Sequence, residues 1–137
     1  MNILIVTRTL TAALIVGTLA SAIATARAAT PAELLAGYAS QASAAPSSAR
    51  GREIFTTRHG KEWSCFSCHG AVPTQPGKHA ATGKAISALA PAFNVDRFTD
   101  AAKSEKWFRR NCNDVMGREC TAGEKADVLS WLLTFKP

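Results

Sequence analysis

The sequence predicts an all-α domain, and three observations predict it. No run alternates apolar and polar residues over the length of a strand. Two capping boxes, Thr30 to Glu33 and Thr121 to Glu124, each open a stretch of helical period. The third is the pentapeptide Cys65-Phe66-Ser67-Cys68-His69, two thiols at helical spacing with an imidazole directly after the second. That is the attachment signature of a c-type haem: both thiols add to the vinyl groups as thioethers, and the imidazole is the proximal ligand of the iron. A chain of 137 residues is one domain by length, and a buried haem c, one and covalent, would enlarge its small core.

Residues 1–28 read as a cleaved signal peptide. Arg8 supplies the basic start, Leu10 to Ala24 an apolar run broken only by small residues, and Ala26-Arg27-Ala28 a small-x-small cleavage site. The run is short for a retained spanning helix. Export places the remaining 109 or so residues in the periplasm, an oxidising compartment where an even set of four cysteines leaves no idle thiol. With Cys65 and Cys68 on haem, Cys112 and Cys120 are left to pair. Zinc would need all four as thiolates and gives His69 no role; a thioredoxin-like dithiol lacks the strand–helix–strand setting. Removing Arg8 and Arg27 takes the formal charge from +6 to +4, too modest for nucleic-acid binding.

The elements follow in order. Residues 29–48 hold a short helix started by Thr30-Pro31-Ala32-Glu33, with Leu34, Leu35 and Tyr38 on one side, and then a Ser/Ala-rich linker. The domain proper, 49–137, opens with a helix from about Ser47 or Ser48 towards His59. On it Gly51 sits one turn from Phe55, so that another helix can cross closely. Gly70 to Gly83 reads as loop, where a carbonyl near Pro73 or Pro76 is the expected acceptor for the free N–H of His69. Ile86, Leu89, Pro91 and Phe93 are expected on the other face of the haem. A third helix starts near Thr99 or Asp100 and puts Trp107, Phe108 and Asn111 on one face. The last carries Val128, Leu129, Leu132, Leu133 and Phe135 in helical period, with Trp131 flanking the stripe; its apolar face is the expected partner of Gly51 and Phe55.

For the sixth position on the iron, ligand chemistry alone puts Met116 first, with His79 and His59 as the other strong donors. Lys84, Arg109 and Arg110 are candidates for haem propionates or a partner surface. No acid–base pair stands out beside the haem motif, which makes an enzyme the weaker reading.

The helix–CxxCH–loop–helix–helix order with Gly51, Phe55 and Trp131 resembles a class I cytochrome c. More narrowly, Ala49-Arg50-Gly51, Thr82-Gly83-Lys84, Leu89-Ala90-Pro91, Lys106-Trp107-Phe108-Arg109-Arg110-Asn111-Cys112 and Gly117-Arg118-Glu119-Cys120 resemble the sphaeroides haem protein family. The resemblance implies a class I cytochrome c-like helical domain wrapped around the haem, with Asn111 as the sixth ligand, near Trp107 and Phe108, and a Cys112–Cys120 disulfide. It also implies a high-spin protein that binds oxygen or nitric oxide once reduced. The implied redox partners are a dihaem cytochrome c and a membrane cytochrome b. A plain electron carrier with Met116 or His79 held permanently on the iron is the alternative.

Overall fold

The structure is a computed structural model that describes residues 28–137, so the expected leader lies outside the described residues except for Ala28. Five helices are present among them: α1 (Pro31–Ala39), α2 (Ser48–Thr56), α3 (Cys65–His69), α4 (Ala101–Met116) and α5 (Ala122–Leu132). A two-residue antiparallel ladder joins β1 (Gly77–Lys78) to β2 (Ala85–Ile86), and Pro91–Phe93 forms a 3₁₀ turn. The first strand of the ladder falls in the stretch read as loop, Gly70 to Gly83, and the second just beyond it. The ladder is too short to carry a period-2 signal, which is why the sequence does not announce it.

The helix starts are local chemistry. Thr30 Oγ1 accepts from the Glu33 N–H at 3.1 Å while the Glu33 carboxylate accepts from the Thr30 N–H at 2.7 Å. The same reciprocal pair opens α5, with Thr121 and Glu124 at 3.2 and 2.8 Å. Asp100 caps α4 through the Lys103 N–H at 2.9 Å. In α3 the Ser64 N–H is taken by Ser67 Oγ at 3.0 Å, which fixes the first turn of the haem motif.

Helix α5 is the spine. Its Ala126 and Leu129 receive Leu34 and Tyr38 of α1, so the first helix docks on the domain. Its Val128, Trp131 and Leu132 pack with Phe55 of α2. Phe55 is wholly buried, with its ring centroid 4.8 Å from that of Trp131; removing such a side chain from water is worth about 2 kcal/mol or more. Trp131 therefore belongs to the core itself, where the sequence placed it beside the stripe. The α2–α5 crossing is close because Gly51 has no Cβ: one built there would collide with the Asp127 carbonyl. The same residue's carboxylate accepts from the Ser47 N–H at 2.6 Å and from Arg50 Nε and Nη2 at 2.7 and 2.8 Å, so side chain and backbone of Asp127 both bind α2. Gly77 repeats the device, with its bare Cα seating the hairpin against the Cys68 carbonyl of α3.

Candidate haem site

Helices α2 to α5 and the loop from Ser87 to Asp100 enclose a cavity of about 340 Å³, within the usual range of small-molecule sites, which begins at about 300 Å³. Its apolar lining includes Ile54, Phe55, Leu89, Phe98, Val128 and Leu132. From α3 come Cys65 and His69, four residues apart and thus on one face of that short helix. From α4 come Trp107, Phe108, Asn111, Val115 and Met116, again one helical face.

His69 closes α3, and its ring lies 6.2 Å from that of Phe55. Burial, aided by the nearby charge of Arg97, lowers its pKa to about 4. At neutral pH the imidazole is therefore uncharged, the form that ligates a metal. Of its two expected acceptors, the Pro73 carbonyl is already taken by the Leu89 and Ala90 N–H groups, both at 2.9 Å. No hydrogen bond reaches the His69 ring among the described residues.

The two thiols of the haem motif differ. Cys65 lines the cavity, and burial pushes its thiol up to about 11, so it is protonated at neutral pH. Cys68 is not part of that wall; its sulfur accepts the Ala80 N–H at 3.2 Å from the hairpin. The other pair forms a disulfide, Cys112–Cys120, with Cα atoms 5.6 Å apart. It ties the C-terminal half of α4 to the start of α5 and removes any four-thiolate zinc site.

Of the candidate sixth ligands, Asn111 and Met116 reach the cavity and the histidines do not. His79 lies in the hairpin, where its Nδ1 accepts the Thr82 N–H at 3.2 Å; the His59 ring is 2.9 Å from the Ile54 carbonyl. Met116 Sδ is 3.6 Å from Cys120 Sγ, a packing contact, since a disulfide sulfur has no proton to give. The Asn111 carboxamide makes no hydrogen bond among the described residues. Nor does it cap its helix, which runs on to Met116 and closes at Gly117; Asn113 is the asparagine that bonds back, donating to the Arg109 carbonyl at 2.8 Å.

Several expected neighbours lie elsewhere. Ile86 and Phe93 line a separate surface hollow, Pro91 is buried outside the cavity, and of that group Leu89 alone reaches the haem side. Lys84, Arg109 and Arg110 are also outside; Arg110 stacks over the Trp107 ring at 5.7 Å. In their place the cavity wall has Arg97 and Lys103, with Asp96 and Asp100. Ile54, next to Phe55, was within reach of sequence reasoning; Arg97, in an aperiodic loop, carried no signal.

An apolar slot lined by an uncharged imidazole, a half-buried thiol and, at its open edge, an amide with no protein partner among the described residues fits a flat, largely apolar macrocycle with a metal at its centre. The relatives agree. Residues 41–132 match a family described as "Domain of unknown function (DUF1924)". The cytochrome c-type protein SHP of Cereibacter sphaeroides is 53% identical over 106 residues, covering 74% of this chain and 81% of that protein. The chain belongs to the SHP family of c-type cytochromes. Like others of that family it carries one covalent haem c. The structure of oxidised SHP, described as an oxygen-binding cytochrome c, superposes with a TM-score of 0.74 at 49% identity, over 79% of this chain and 99% of that one. Cytochrome c'' of Methylophilus methylotrophus is 48% identical over 80 residues, which are 58% of this chain and 56% of that protein. Its oxidised crystal structure gives a TM-score of 0.69 at 38% identity, over 78% and 95% of the two chains. These matches confirm the all-α, class I cytochrome c-like architecture.

Proposed function

We propose that this SHP-family protein is an exported, periplasmic cytochrome that accepts an electron from a partner cytochrome and takes a small diatomic ligand when reduced. Cys65 and Cys68 hold the haem, His69 is the proximal ligand and Asn111 the labile sixth one. The observation that carries the reading is the Asn111 carboxamide: it shares the cavity wall with Trp107 and Phe108, and nothing in the described protein engages it.

When bound, the haem supplies an iron that changes charge by one electron and can take a sixth ligand. The residues set how it does so. His69, half-buried and uncharged at neutral pH, presents a strong nitrogen donor. The Asn111 oxygen is a hard, neutral, weak donor that suits ferric iron better than ferrous, so its hold weakens on reduction. Trp107 and Phe108 keep that side of the slot apolar, which favours an uncharged ligand over an ion. Two relatives lend support: SHP is described as binding oxygen, and a solution structure of cytochrome c'' as bearing on haem-ligand detachment.

Met116 gives the second reading. It lines the same cavity, and a thioether held permanently on the iron would leave a plain electron carrier. Optical spectra decide between them. The proposal expects a high-spin ferric protein, rapid carbon monoxide binding after reduction, a changed ferric spectrum in Asn111→Ala and an unchanged one in Met116→Ala. Slow or absent carbon monoxide binding would leave the electron-carrier reading.

The proposed donors, a dihaem cytochrome c and a membrane cytochrome b, rest on the family resemblance. Export rests on the leader-like residues 1–28; among the described residues no helix is long and apolar enough to cross a membrane.

A further inference from the structure

Arg97 is the charged side chain of the cavity with a firm position and no counter-charge. It lies in the loop before α4, half-buried, and lines the cavity. Its Nε donates to the Ala88 carbonyl and its Nη2 to the Ser87 carbonyl, both at 3.0 Å. A guanidinium has five N–H donors, so three stay open. Among the described residues no carboxylate pairs with it; the ion pairs there are Arg50–Asp127, Arg118–Glu124 and Lys125–Glu105. A cation withdrawn from water without an anion is costly, and here burial already lowers its pKa. The site calls for an anion at this end, and haem c brings carboxylates of its own, the propionates.

We propose that Arg97 anchors a haem propionate through the N–H groups that the Ser87 and Ala88 carbonyls leave free. Lys103 is a second cation on the same wall, exposed, and its ammonium makes no hydrogen bond or ion pair among the described residues. The other charged or titratable groups facing this space are Asp96, Asp100 and His69. The two aspartates act against a propionate, raising its pKa, and His69 is uncharged. A propionate that stays strongly acidic here must therefore feel the two cations, of which the Arg97 guanidinium is the one held in place by hydrogen bonds. The carbonyl bonds also hold the fork in place, which suits arginine better than lysine. The inference rests on the haem seat and is independent of which residue takes the sixth position.

The test is a pH titration of the haem propionate resonances of the ferric holoprotein by NMR. In the wild type one propionate should titrate clearly below the ordinary carboxylate range. In Arg97→Gln the same propionate should become a weaker acid by about tenfold or more, and Arg97→Lys should restore part of the difference. Two propionates titrating as ordinary carboxylates in the wild type would overturn the assignment without need of a variant. So would Arg97→Gln and Arg97→Lys proteins that lose thermal stability alike and leave the titration unmoved, the outcome of a purely structural arginine. A protein matured without covalent haem would instead remove the seat itself, and the inference with it.

Discussion

Gly51 lies against the carbonyl of Asp127, closer than any methyl group could approach. The contact is backbone to backbone, so neither side can turn a rotamer to make room. Gly51→Ala should therefore push α2 off α5 and disturb the wall that carries Ile54 and Phe55. The expected cost is about 3 kcal/mol, the upper part of the range for overpacking a tight site. Denaturant unfolding measures it, and a variant as stable as the wild type would show that the crossing is slack.

The Cys112–Cys120 bridge closes a loop with a sequence separation of eight. Chain entropy alone values such a closure at about 2.5 kcal/mol. The double variant Cys112→Ser/Cys120→Ser should lose close to that in urea unfolding, and mass spectrometry of the unreduced wild type should find no free thiol at either position. Two alkylated cysteines there would contradict the bridge.

Glu124 links stability to acid. Arg118, bonded to it at 2.6 and 2.8 Å, and the Thr121 N–H hold its pKa down to about 2 against desolvation. Because the folded pKa lies below the unfolded one, the unfolded chain takes up the proton first as pH falls. The stabilisation is thus present above about pH 4.5, the ordinary value for a glutamate, and is lost progressively as pH drops through about 2. Arg118 is half exposed, so water and salt screen the pair and the effect should be modest. Thermal melts across this window should show a shallower acid limb for Glu124→Gln; parallel limbs would assign the acid sensitivity to other carboxylates.

The two haem-motif thiols should prove unequal. Cys65 is already in the cavity wall, whereas Cys68 must release the Ala80 N–H to reach it. A denaturing gel stained for haem should be positive for the wild type and strongly reduced for both Cys65→Ala and Cys68→Ala, with the residual stain greater in Cys68→Ala. Full staining of either variant would show that one thioether suffices.

The legible parts of this protein are those whose cause is near in sequence. Thr30, Asp100 and Thr121 mark their helices because a cap and its N–H lie three residues apart. Gly51 and Phe55 announce a crossing because they share a face one turn apart. Trp107, Phe108 and Asn111 come together for the same reason, and the cysteine parity left Cys112 for Cys120. Illegible were the contacts decided by the path of the chain from Ser87 to Asp100. That loop takes the Pro73 carbonyl through Leu89 and Ala90, and it brings Arg97 rather than Lys84 or Arg109 to the cavity. A loop without period leaves no pattern from which such neighbours can be read. Trp131 is the opposite case, a residue the period does announce: Val128, Trp131, Leu132 and Phe135 recur at i, i+3, i+4 and i+7, so Trp131 lies on the buried stripe, between Phe55 and Phe135, and not beside it.

Helix α4 runs without a break from Ala101 to Met116, and the disulfide begins at the residue after Asn111. The backbone at Asn111 thus has no local freedom short of unravelling the helix and straining its tether. Any departure of the amide is a torsion of the side chain, an event of picoseconds to nanoseconds, whereas a loop or hinge would take microseconds or longer. With Asn111 as the sixth ligand, as proposed, the site would open on a rotamer's clock, and the temperature dependence of ligand entry would carry a rotamer's barrier without the cooperative cost of moving a helix.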